Sequence, residues 1–137
     1  MISNLPIILS MHSEAAVAVL RIVVGVILLV HGLPKIKDLK TTMMDFEGMG
    51  FRPGFIWGTV TAVLEVVGGA FLVLNILVQG VAFFIIGQFA VIIAWRLKMR
   101  SPFVHGSELD FLILAASLVL LTFGGGSLPF RAGLFLN

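Results

Sequence analysis

The chain of 137 residues is 59% hydrophobic and only 12% charged, with a mean hydropathy of +1.14, which leaves too few polar side chains to cover a water-soluble domain. Its net charge of +2 comes from basic residues that flank apolar runs and form no single patch, so the charge speaks for membrane topology and against nucleic acid. With no cysteine, dithiol pairs, thiolate nucleophiles and iron–sulfur ligation are excluded, and any redox role needs a borrowed cofactor.

The apolar residues fall into four runs, which predicts an all-α membrane protein: a four-helix transmembrane bundle forming one domain over residues 1–137. Residues 5–11 are apolar and Ala15 and Ala16 are small, but no Lys or Arg precedes them, so a cleaved leader is not expected. The first span is expected over about 15–33, interrupted by Arg21 and closed by His31, Gly32 and Pro34. The second is expected over about 55–78, entered at Pro53 and Gly54, with Glu65 its only charge and Asn75 near its exit. The third, over about 80–95, carries Gln88 in its middle, and the short break at Gln79 and Gly80 predicts a tight antiparallel hairpin with the second. The fourth, over about 109–123, starts beside Glu108 and Asp110 and ends at Gly124, Gly125 and Gly126.

Orientation follows from the loops. Lys35, Lys37, Lys40 and Arg52 lie between the first two spans and Arg96, Lys98 and Arg100 between the last two, against Arg131 alone on the other side. Both termini are therefore expected outside and both basic loops in the cytoplasm, in a multi-pass protein of the cell membrane. The first basic loop mixes Asp38, Asp45 and Glu47 with Met43, Met44, Phe46, Met49 and Phe51, a pattern for a short amphipathic segment at the interface or a solvated linker with an apolar lid.

Charges in hydrocarbon cost about 3 kcal/mol or more each and so face a bundle interior, a partner or water. Arg21 lies on a stripe with Ala18, Gly25, Leu28 and Gly32, and Glu65 on a stripe with Gly58, Ala62 and Gly69. Small residues at this spacing mark close helix contacts, and Gln88 with Ser117 could complete a polar layer between them. Axial bookkeeping works against a direct pair: Arg21 falls about 9 Å from the outer end of its helix and Glu65 about 20 Å from the same boundary. Two readings stay open, a functional Arg21–Glu65 pair, or Arg21 reaching out to the interface while Glu65 is held as a neutral acid between helices. At the opposite membrane face, His31, Lys35, His105, Glu108 and Asp110 approach one another and could relay protons or grip a polar head group, with His31 and Glu108 the first pair to consider. Helix capping and interfacial anchoring would account for the same residues. No metal site is expected.

The order Leu20-Arg21, Gly25, His31-Gly32, Lys35, then Met49-Gly50-Phe51, Glu65 with Gly68-Gly69, Gly106, Glu108 and finally Gly124-Gly125-Gly126-Ser127 resembles the DoxX family of small prokaryotic membrane proteins over about residues 18–128. One departure is that the acid often found shortly after the final glycines is replaced by Leu128-Pro129-Phe130. The resemblance implies a four-helix integral membrane protein, a membrane subunit or partner of a quinone-linked redox system, some relatives acting with oxidoreductases of sulfur compounds. It carries the recurring polar positions onto Arg21, His31, Lys35, Glu65 and Glu108. A quinone slot needs a proton donor or acceptor near a ring carbonyl, for which His31 and Glu65 are the candidate catalytic residues, with Arg21 or Gln88 as hydrogen-bond donors. The implied partners are the bilayer, a redox enzyme and a second copy of the chain. Two other classes compete: a scaffold that anchors a soluble partner through the basic loops, and a small proton-coupled transporter using Glu65.

Overall fold

A computed structural model describes residues 5–127, and within them every regular element is helical. In chain order these are α1 (Leu5–Ser10), α2 (Ser13–Lys37), α3 (Leu39–Gly48), α4 (Gly54–Leu74), α5 (Val78–Lys98) and α6 (Glu108–Phe123), the last preceded by a wide turn over Phe103–Ser107. Four helical stretches, Ser13–Lys37, Gly54–Leu74, Val78–Lys98 and Phe103–Phe123, are long and apolar enough to cross a bilayer. The four-span membrane architecture expected from the sequence is therefore the observed one. Arg131 and the Leu128-Pro129-Phe130 departure lie outside the described residues.

Several helix boundaries differ from expectation, and α5 runs on to Lys98. α2 does not close at Gly32 and Pro34 but continues to Lys37 with Pro34 inside it. Proline withdraws one N–H from the ladder, and the helix goes on past it: the Asp38 N–H donates to the Pro34 carbonyl at 3.1 Å. Asp38 also turns the corner into α3, its carboxylate accepting from the Thr41 N–H at 3.2 Å and the Thr41 hydroxyl at 2.8 Å. The turn between α4 and α5 falls at residues 75–77 and not at Gln79 and Gly80, because Asn75 (φ 62°) and Leu77 (φ 46°) take left-handed conformations. Asn tolerates that region better than most residues and commonly ends helices there.

The spans associate as two pairs, α2 with α4 and α5 with α6, while α3 lies along α4. α4 and α5, joined by residues 75–77 alone, do form a hairpin, but they pack against each other more sparsely than these pairs do, so it is looser than expected. Glycine decides the pairing. A Cβ at Gly25 would stand 2.7 Å from the Gly69 carbonyl, one at Gly69 would stand 2.7 Å from the Gly25 carbonyl, and one at Gly32 would stand 2.8 Å from the Glu65 Cβ. α2 and α4 thus approach backbone to backbone, as small-residue stripes permit. Gly58 does the same for α3, a Cβ there lying 3.0 Å from the Met43 Cα. Val24, Leu28, Leu72, Ile85, Phe89, Ile113 and Leu120 fill the interior, and Val19, Val23, Val26, Val30, Phe83 and Phe84 point outward, where lipid covers them.

Candidate functional site

Continuing the α2 stripe by one step past Gly32 reaches Lys35, on the face that meets α4. There its ammonium lies 2.7 Å from both carboxylate oxygens of Glu65. Glu65 is 2% exposed and receives a further hydrogen bond, from Gln88 Nε2 to Oε1 at 2.8 Å. The carboxylate is thus held by a cation from α2 and an amide from α5, a compensation that a buried charge requires. The other Gln88 atom, Oε1, is buried with no hydrogen-bond partner.

A second ion pair stands nearby. Arg96 Nε lies 2.6 Å from Asp110 Oδ2 and joins α5 to α6 as Lys35–Glu65 joins α2 to α4. Asp110 is also within electrostatic reach of His31 and Lys35. Between the two helix pairs these groups enclose a cavity of about 430 Å³, lined by His31, Lys35, Glu65, Arg96 and Asp110 and walled by Phe46, Phe51, Phe89 and Trp95. The Trp95 indole N–H donates to the Met49 carbonyl at 3.1 Å, and the Phe51 ring sits 6.4 Å from the Trp95 ring, which fixes the α3 end of the wall. His31 engages only its Nδ1, 2.8 Å from the Ile27 carbonyl one turn back.

The Arg21–Glu65 pair does not form. Arg21, 4% exposed, donates from Nε to the Gly125 carbonyl at 2.9 Å and from Nη1 to the carbonyls of Val73 at 3.0 Å and of Leu72. Leu72 is seven residues beyond Glu65 on α4, about 10 Å along the axis, which is the separation that the axial bookkeeping anticipated. Arg21 leans toward the outer end of the bundle without reaching solvent: it caps the C-terminal carbonyls of α4, a favourable place for a cation. The pairing of His31 with Glu108 is also not seen. Glu108 is exposed and its Oε1 accepts from the His105 N–H at 3.3 Å, a local bond closing the turn in which His105 has φ 59°. Ser117, fully buried, has an unbonded hydroxyl, so of the expected polar layer only Gln88 joins Glu65.

Of the residues singled out from sequence, Lys35 and Gln88 both bond Glu65, His31 lines the cavity beside Lys35 and Glu65, and Arg21 and Glu108 stand apart. Asp110, expected in the polar cluster at this membrane face, is there, but its partner is Arg96, a residue that the sequence marks only as a topology charge. The signal lay in the length of α5: carried past 95, the helix lifts Arg96 into the bundle facing the first turn of α6.

A family model described as DoxX matches residues 16–98, a stretch that contains Arg21, His31, Lys35, Glu65, Gln88 and Arg96. A protein of Bacillus subtilis (strain 168) with the name "Putative oxidoreductase CatD" is 33% identical over 113 residues, which is 81% of each chain. No solved structure matches.

Proposed function

The chain belongs to the DoxX family, and from that premise we propose that it is the membrane subunit or partner of a quinone-linked redox system whose quinone ring is held in the cavity between the two helix pairs. The observation that carries this reading is the cavity itself. Its volume of about 430 Å³ falls within the range of about 300–1,000 Å³ usual for small-molecule sites. It combines flat aromatic walls with a few polar groups, which suits a planar ring bearing carbonyl oxygens. The name of the Bacillus relative as an oxidoreductase points the same way.

In this reading the chemistry supplied by the quinone is its two-electron, two-proton interconversion with quinol, the electrons coming from a donor on a partner redox protein. The chain's own residues orient the ring and present protons. His31, with Nδ1 engaged by its helix, keeps Nε2 for a ring oxygen. Lys35 and Glu65 form the polar floor, with Gln88 holding Glu65 from behind, and Arg96 with Asp110 add a second polar patch to the lining. The exposed Lys37, Lys40, Lys98 and Arg100 at the same end suit docking of an acidic partner surface in the cytoplasm of a cell with this protein in its plasma membrane.

The test is binding of a 1,4-naphthoquinone without a tail to the purified protein, read by quenching of Trp95 in a Trp57→Phe background, since the chain has two tryptophans. Saturable quenching is expected, with affinity falling about five- to tenfold in Glu65→Gln and Gln88→Leu. Wild-type affinity in both variants, or no saturable quenching, refutes the proposal.

A further inference from the structure

Because α4 and α5 touch only sparsely, the seam between them is open. It holds a groove of about 380 Å³ between Trp57, Val60 and Leu64 on α4 and Phe83, Phe84 and Gly87 on α5. Trp57, Phe83 and Phe84 are about half exposed or more, so the groove faces the hydrocarbon of the bilayer. It also adjoins the polar cavity. Phe46, Phe51 and Ile92 line both spaces, and Gln88 lines the groove while its Nε2 holds Glu65 on the cavity side. The partition is one layer of side chains thick.

We propose that the ligand of the cavity is an amphiphile whose apolar tail leaves the bundle sideways through the α4–α5 seam and lies in this groove, with its polar ring beside Glu65. The inference rests on the quinone reading and adds the class of quinone, one bearing an isoprenoid or alkyl tail, and the route by which it enters. A membrane-dissolved amphiphile that entered from the basic end would have to draw its tail through water, which apolar surface resists. Entry along the seam keeps the tail in apolar surroundings throughout. The polar groups of the groove, Thr61 and Gln88, lie at its inner wall, where the head group would pass, and the rest of the lining is apolar but for the edge of Trp57. Hydrocarbon therefore fits the outer part and a carbonyl-bearing ring the inner part.

Gly87 makes the proposal testable. It lines the groove, and a Cβ there meets nothing within 4 Å, so a side chain can be added that fills the groove without disturbing the fold. Gly80, also with nothing within 4 Å and outside the groove lining, is the matched control. The affinities of a tailless 1,4-naphthoquinone and of the same ring with a decyl tail are measured by Trp95 quenching in Gly87→Trp, Gly87→Leu and Gly80→Trp proteins lacking Trp57. All are compared in one detergent, so that partitioning of the tail into micelles cancels. The added tryptophan is calibrated against the leucine variant. The expected result is about a tenfold loss for the decyl quinone in both Gly87 variants, with the tailless quinone unchanged and Gly80→Trp equal to the parent. Equal affinities of the decyl quinone in all proteins overturn the groove while leaving the cavity site intact, and an equal loss for both quinones overturns it as well. Failure of the tailless quinone to bind the parent overturns the cavity reading and this inference with it.

Discussion

Replacing Lys35 with methionine leaves Glu65 with its amide partner but without its cation. Breaking a fully buried ion pair by removing one partner costs about 3–5 kcal/mol. Glu65 meets that condition with 3% of its side chain exposed, but Lys35 is 30% exposed, so part of the attraction is already screened. A cost of about 2–3 kcal/mol is expected for Lys35→Met. Glu65→Gln retains an oxygen for Lys35, whose ammonium can also reach toward the interface, and should cost about 1–2 kcal/mol. The double variant should be more stable than the sum of the two losses implies, by about 1–2 kcal/mol, because each change removes the penalty exposed by the other. The assay is unfolding in mixed micelles with a rising fraction of anionic detergent, followed by tryptophan fluorescence on all four proteins. Additivity within about 0.5 kcal/mol would show that Lys35 and Glu65 do not act as a pair, and the argument for a polar floor would fail with it.

Gly32→Val should cost about 1–3 kcal/mol, since its Cβ would meet the Glu65 Cβ at 2.8 Å and the Val66 amide nitrogen at 2.9 Å and neither can swing away; Gly80→Ala, with open space, should be neutral or slightly stabilising in the same unfolding assay. Arg21→Lys should cost about 1.5–3 kcal/mol because a compact ammonium lacks the spread of the guanidinium, which bonds two segments from two different nitrogens, while quinone affinity stays at the parent value; a collapse of binding with stability intact would return Arg21 to the site. Glu108→Gln should change stability by less than about 0.5 kcal/mol, whereas Arg96→Leu, which strands the largely buried Asp110, should cost about 2 kcal/mol, and equal effects of the two would refute the pairing seen here.

The four spans were legible because hydrocarbon imposes uninterrupted apolar length, and nothing in a single sequence states that demand more plainly. The α2 and α4 contact faces were legible too, since Gly25, Gly32, Gly58 and Gly69 recur at helical spacing and each meets a neighbouring backbone or Cβ in the structure. The identity of Glu65's partner was not. Taking Pro34 as a terminator cut the stripe one step short of Lys35, although the axial distances already told against Arg21. Arg96 and Asp110 were hidden for a different reason: their meeting depends on how α5 and α6 align, which local periodicity does not encode. The same holds for the sparse α4–α5 seam, because a short connection enforces proximity at one end only and the glycines assign α4 to α2.

Four of the charged side chains that line the cavity cancel two by two, Lys35 against Glu65 and Arg96 against Asp110, while Asp45 adds from α3 a carboxylate that is in no ion pair among the described residues. A permanently anionic guest would find both cations already committed and a further carboxylate to repel it. An electroneutral molecule with polar oxygens displaces neither partner and needs only to align with the dipoles that the pairs create, so the lining turns anions away before it selects by shape.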